Sequence, residues 1–198
     1  MARIAITGGI ACGKSLFASS LIRRGMEILD ADDVTHRLEA PGGRAVTALV
    51  RAFGEAILDA EGGVDRRKLG RLAFASAVER ERLNSILHPL VREEIEAWMA
   101  KPGGPLKAVV IPLLYECGWA DDWEVVICLV SREETQIQRM MRTRGYSEEE
   151  ARRRVASQMP VAEKAARAQM VVQNDGDEAA LRREAGRVFA ELVSRYGR

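Results

Sequence analysis

No stretch of this 198-residue chain is apolar for long enough to cross a membrane. Its longest apolar run, residues 108–115, holds eight residues and includes Pro112, against the about 20 that a spanning helix needs. Met1-Ala2-Arg3 leads directly into an apolar run, which leaves no room for a signal segment. Charge of one sign is also missing. The 30 basic and 29 acidic side chains leave a net charge of +1, so bulk electrostatics gives no reason to expect a nucleic-acid partner. The three cysteines, Cys12, Cys117 and Cys128, are odd in number and not spaced as metal ligands, so reduced thiols in the cytoplasm are the expectation. Internal repeats and low-complexity tracts are absent. The length suits one domain with excursions, or two small domains.

The most informative string is Gly8-Gly9-Ile10-Ala11-Cys12-Gly13-Lys14-Ser15, set between the apolar residues 4–6 and Leu16-Phe17-Ala18. It fits G-x-x-x-x-G-K-[ST], a loop whose backbone N–H groups wrap a polyphosphate. Glycine permits backbone conformations closed to other residues and a close approach to phosphate. Lys14 brings a point charge to the β and γ phosphates of ATP, and Ser15 offers a hydroxyl to Mg²⁺. A helix opening at Gly13 turns its positive end toward the anion. A thiol at Cys12, beside that helix start and Lys14, is expected to have a lowered pKa and to be open to oxidation that would block ATP.

Five short apolar or β-branched runs, residues 3–7, 26–29, 107–111, 124–130 and 170–173, read as strands. Their alternation with helical segments predicts an α/β fold, a five-stranded parallel sheet flanked by helices. Ligands of such sheets sit at the carboxyl ends of the strands, which puts the loop after Thr7 and the acids after Leu29 on one edge. Between residues 36 and 104 the strand pattern gives way to helical spacing: Val46, Leu49, Val50 and Phe53, then Leu69, Leu72 and Ala73, then Leu83 through Ile95. The expected organisation is a nucleotide core over 1–35 and 105–198, a helical acceptor-binding insert over 36–104, and a lid over 139–167. That last segment carries eight basic and four acidic residues. Gly145-Tyr146-Ser147 divides it into two helices, with Ser147 as an N-cap. A basic lid closing over a transferred phosphoryl group accounts for the surplus, although most of its arginines are expected simply to be solvated.

The N-K-x-D motif by which a GTPase reads its base is missing. The strand that would end in a metal-binding acid ends instead in Pro112, so Asp30 or Asp32 is left to do the acidic work, unless it merely caps a helix. That points to a small-molecule kinase. The same core with another acceptor, or a nucleotide-gated binding protein without turnover, are the alternatives.

Six motifs in order resemble the dephospho-CoA kinase family, nearly end to end. They are residues 6–15; Leu29-Asp30-Ala31-Asp32; Gly63 to Leu69 followed by Leu83-Asn84 to Arg92; Ile111-Pro112-Leu113-Leu114-Tyr115-Glu116; Thr135-Gln136-x-x-Arg139; and Arg154-Val155-x-x-Gln158-Met159-Pro160. The resemblance implies a P-loop kinase core with a helical substrate-binding insert and a helical lid, and ATP-dependent phosphorylation of the ribose 3′-hydroxyl of dephospho-CoA. It implies that Asp32 orients that hydroxyl, with Asp30 beside it, that Arg139 and Arg154 act from the lid, and that His88 and residues 112–116 face the acceptor. His88 as a base competes with a structural role, the commoner one for a His before Pro at a helix junction. The family commonly has Gly and Ser at positions 11 and 12; Ala11 is expected to fit only with a negative φ. A lid arginine of the family falls on Thr143, between Arg142 and Arg144.

Overall fold

The computed structural model describes residues 2–73 and 75–197; Met1, on which the expectation of no signal segment rests, lies outside them. The chain forms two compact units, residues 1–28 with 102–198, and residues 29–101.

The first unit is built on a five-stranded sheet in the order β2-β3-β1-β4-β5. Its strands are β1 (Ile4–Gly8), β2 (Glu27–Asp30), β3 (Lys107–Val110), β4 (Val125–Val130) and β5 (Met170–Gln173). β1 pairs in parallel with β3 and β4, and β4 with β5. Every residue of β1, β3 and β4 is buried, which explains why these strands read as mainly apolar runs, with Thr7 and Lys107 the exceptions. β5, at the edge, alternates buried and exposed positions. The helices of this unit are α1 (Lys14–Ile22), α6 (Glu133–Arg144), α7 (Glu148–Ala156), α8 (Val161–Ala166) and α9 (Glu178–Tyr196). Phe17 and Leu21 of α1, and the stripe Leu181, Ala185, Val188 and Leu192 of α9, share a core with Ile4, Ile6, Ala108, Val110, Ile127 and Leu129. α8 packs on β4 and β1. β1 is thus held at the centre of the sheet, and the loop leaving it starts from a wholly buried strand paired on both sides.

The second unit is helical: α2 (Ala31–Glu39), α3 (Val46–Phe53), α4 (Arg66–Ala73) and α5 (Ala77–Ala100). α2, α3 and α4 all pack on α5, burying Val34, Leu38, Leu49, Leu69, Leu87, Val91 and Ile95. Ser76 caps α5 by accepting from the Glu79 N–H. The helix then runs through Pro89, so the expected junction at His88-Pro89 does not exist. Proline removes one internal hydrogen bond there, and three helices packed along α5 hold it together regardless.

Candidate active site

The loop after β1 owes its shape to three backbone positions. Gly8 has φ 142 and Gly13 φ 90. A Cβ on Gly8 would run into the Leu129 carbonyl of β4, and one on Gly13 into the Asn174 side chain, so neither site admits a larger residue. Ala11 has φ 56 and is the one non-glycine with positive φ among the described residues. The expectation of a negative φ is therefore wrong. The αL conformation costs an L-residue about 1–2 kcal/mol. It is retained because Ala11 and Ile10 pack on Ile137, Met140 and Ala151, while the Ala11 carbonyl accepts from Arg139 Nη1 at 3.4 Å.

Gly13 is the N-cap of α1 and supplies no side-chain cap, and the first turn carries no acidic residue. The first N–H groups of the helix and its positive end are open to an anion. Lys14 Nζ folds across the loop and donates to the carbonyls of Gly8 (3.1 Å) and Gly9 (2.8 Å), poised where an anion in the loop would draw it away. Ser15 follows in the same turn and is exposed. Cys12 is fully buried; burial pushes its thiol up, and the nearby Lys14 charge only partly opposes that. The expected lowering of its pKa is thus not found. Desolvation outweighs the helix terminus and the lysine.

Behind the loop stands a set of buried polar side chains, of which the sequence singled out Gln136, through the motif it shares with Arg139, but neither Ser131 nor Asn174. Asn174 Nδ2 donates to the Cys12 carbonyl at 2.9 Å. Ser131 Oγ donates to the Asn174 carbonyl at 2.6 Å, and Gln136 Nε2 to the Ser131 carbonyl at 3.0 Å. Arg139 joins this set. Besides Ala11 it donates to Ser131 Oγ (3.1 Å) and to the Gly176 carbonyl (3.2 Å), which ties α6 and the loop after β5 to the phosphate loop.

After β3 the chain turns through Pro112-Leu113-Leu114-Tyr115-Glu116. Leu113 is exposed, whereas Leu114 and Tyr115 are buried. Arg167 lies over the Tyr115 ring, 4.4 Å from its centroid, and burial raises the phenol pKa. Glu116 Oε1 pairs with Lys164 Nζ at 2.7 Å and accepts from the Met159 N–H at 3.1 Å. Lys164, counted by sequence among the basic lid residues, is fully buried; its small neighbours Ala162, Ala165 and Ala166 were the available signal.

The basic hairpin forms as expected at its break. Gly145 ends α6 with φ 68, and Ser147 caps α7 by accepting from the Glu150 N–H. Arg154 is paired with Glu150 through Nε (3.2 Å) and Nη2 (2.9 Å) and lies 4.4 Å from the Tyr146 ring centroid. Arg142 and Arg144 are both exposed in the last turn of α6, and Thr143 Oγ1 donates to the Arg139 carbonyl at 2.7 Å.

In the helical unit, Asp30 is the N-cap of α2, its carboxylate accepting from the Asp32 N–H at 2.9 Å. Asp32 is exposed in the first helical turn that this cap secures. His88 is half-buried; burial, and then the Arg92 charge one turn on, hold its pKa below the usual imidazole range.

A family model described as dephospho-CoA kinase matches residues 2–180. The dephospho-CoA kinase of Anaeromyxobacter dehalogenans is 41% identical over 198 residues, covering 98% of this chain and 94% of that one. The chain belongs to the dephospho-CoA kinase family. Solved structures agree. TT1252 from Thermus thermophilus superposes with a TM-score of 0.85 at 34% identity, covering 96% of this chain and 97% of that one. The dephospho-CoA kinase from Campylobacter jejuni does so at 0.71 and 26%, covering 98% of both. As a member of this kinase family the protein takes ATP as its co-substrate.

Proposed function

We propose that the protein transfers the terminal phosphoryl group of ATP to the 3′-hydroxyl of the ribose in dephospho-CoA, giving coenzyme A, and that it does so in the cytoplasm. The observation that carries this is the family match across residues 2–180, in a chain whose α1 opens uncapped behind a phosphate loop.

In this reading the phosphates of ATP occupy the loop 8–15. They take hydrogen bonds from its N–H groups and from the start of α1, and Lys14 moves from the Gly8 and Gly9 carbonyls to the β and γ phosphates. Ser15 fits a magnesium ion arriving with the nucleotide: it is an exposed hydroxyl residue next to Lys14, and such an ion is usually completed by phosphate oxygens and water. When bound, the ion neutralises negative charge on the phosphates. The 3′-oxygen forms a bond to the γ-phosphorus as the bond to the ADP oxygen breaks, and Asp32 orients the hydroxyl and receives its proton. Asp30 holds the turn from which Asp32 projects. Arg154, released from Glu150, and Arg139 stabilise charge on the transferred group. The helical region 36–104 binds the acceptor, with His88 in a supporting role suited to a neutral imidazole, and the turn 112–116 faces it.

A coupled ADP-release assay with dephospho-CoA, adenosine, shikimate and nucleoside monophosphates tests this. Release with dephospho-CoA alone is expected. Release with another acceptor would indicate a different kinase on the same core, and release with none a binding protein.

A further inference from the structure

A fully buried ammonium is costly unless it is paired and hydrogen-bonded, and an apolar residue of similar volume in its place is often neutral or even stabilising. Lys164 sits on α8 with no solvent exposure. Its Nζ donates to the Pro112 carbonyl at 3.1 Å and pairs with Glu116 Oε1 at 2.7 Å. One ammonium thus bridges the first and last residues of the turn 112–116. Two further bonds extend the arrangement. Thr7 Oγ1, one residue before the first glycine of the phosphate loop, donates to the same Pro112 carbonyl at 3.3 Å. The Met159 N–H, between α7 and α8, donates to the same Glu116 oxygen at 3.1 Å. Entry to the phosphate loop, the turn after β3 and the foot of the lid helices therefore converge on Lys164. Arg167, at the end of α8, lies over Tyr115 and holds the middle of the turn from the same side.

We propose that Lys164 is a positioning residue for phosphoryl transfer: it fixes the turn 112–116 against the start of the phosphate loop and against the base of the lid. This rests on the reading above that the turn faces the acceptor. The ammonium lies beneath the turn, enclosed by protein, so it acts on the reaction through Pro112 and Glu116. Its loss frees the turn to shift while leaving the cradle 8–15, held from behind by Asn174 and Arg139, in place. Acceptor-dependent steps should therefore suffer and nucleotide binding should not.

The test compares wild type, Lys164→Met and Lys164→Arg, each normalised to the folded fraction that binds a fluorescent ATP analogue. Lys164→Met is expected to lower kcat/KM for dephospho-CoA by about 100-fold, the scale set by ångström-sized misplacement of a reactant. KM for ATP should stay within about 3-fold and ATP hydrolysis to water should rise relative to transfer, with Lys164→Arg restoring at least about 10-fold of the loss. Dephospho-CoA constants within about 3-fold of wild type in folded Lys164→Met, or constants for both substrates worsening together, overturn the proposal. If Lys164→Met does not fold, Glu116→Gln removes the charge pair while keeping an acceptor for the Met159 N–H, and the same split is expected; parallel loss again overturns it. A wild-type protein inactive with dephospho-CoA overturns the functional reading itself, and this inference with it.

Discussion

Asn174 Nδ2 donates to the Cys12 carbonyl at 2.9 Å, so the loop after β5 fixes the phosphate loop two residues before the start of α1. The same side chain occupies the space that a Cβ on Gly13 would need. Asn174→Ala should leave a buried carbonyl unpaired, a loss of about 1–3 kcal/mol. We expect ATP affinity to fall by about 10-fold, measured by calorimetric titration, with the dephospho-CoA KM little changed. Unaltered ATP affinity would mean that the loop holds its shape without this bond.

Ala11 provides a test of opposite sign. At φ 56 it occupies a conformation that glycine adopts freely, so Ala11→Gly removes strain of about 1–2 kcal/mol while adding about 0.4–1 kcal/mol of unfolded-state entropy. A small net gain in the urea midpoint is expected. A lower midpoint would show that the methyl group's packing on Ile137 and Met140 outweighs its strain.

His88 links stability to pH. Burial and Arg92 depress its folded pKa below 6.5, so the folded state prefers the neutral ring. The stability this supplies is complete above the unfolded value and drains away as pH falls through the lower folded one. His88→Gln, which cannot take up that proton, should flatten the fall in Tm as pH drops below about 6.5. A variant as acid-sensitive as wild type would locate the effect elsewhere.

The phosphate loop and the strands were legible because each rests on a local pattern: a fixed spacing of Gly, Lys and Ser, or a run buried on both faces. What escaped the sequence depends on partners distant in the chain. Lys164 looked like one more charge in a basic tract, and only folding brings Pro112 and Glu116 to it. Asn174 follows the weakest of the strand signals, and its partner Cys12 lies at the other end of the sequence. Pro89 argued for a break that the helices packed along α5 override. Cys12 went wrong on balance of magnitude, since the neighbouring charge was visible in the sequence and the burial was not. Sequence alone leaves Asp30 open to capping or chemistry; its bond to the Asp32 N–H shows that it caps.

Asp32→Asn keeps the size of the side chain and removes its ability to accept a proton. We expect kcat to fall by about 100-fold or more, with ATP affinity changed by less than about 2-fold. Near-normal turnover would remove Asp32 from the role proposed for it. Single-turnover rates alongside nucleotide titration make the separation.

The position of the new phosphate on the product tests the account most directly. ATP and dephospho-CoA should give a product whose added phosphorus couples to the ribose H3′ in phosphorus–proton NMR. Coupling to H2′, or a product that carries no added phosphate while ADP accumulates, would contradict it.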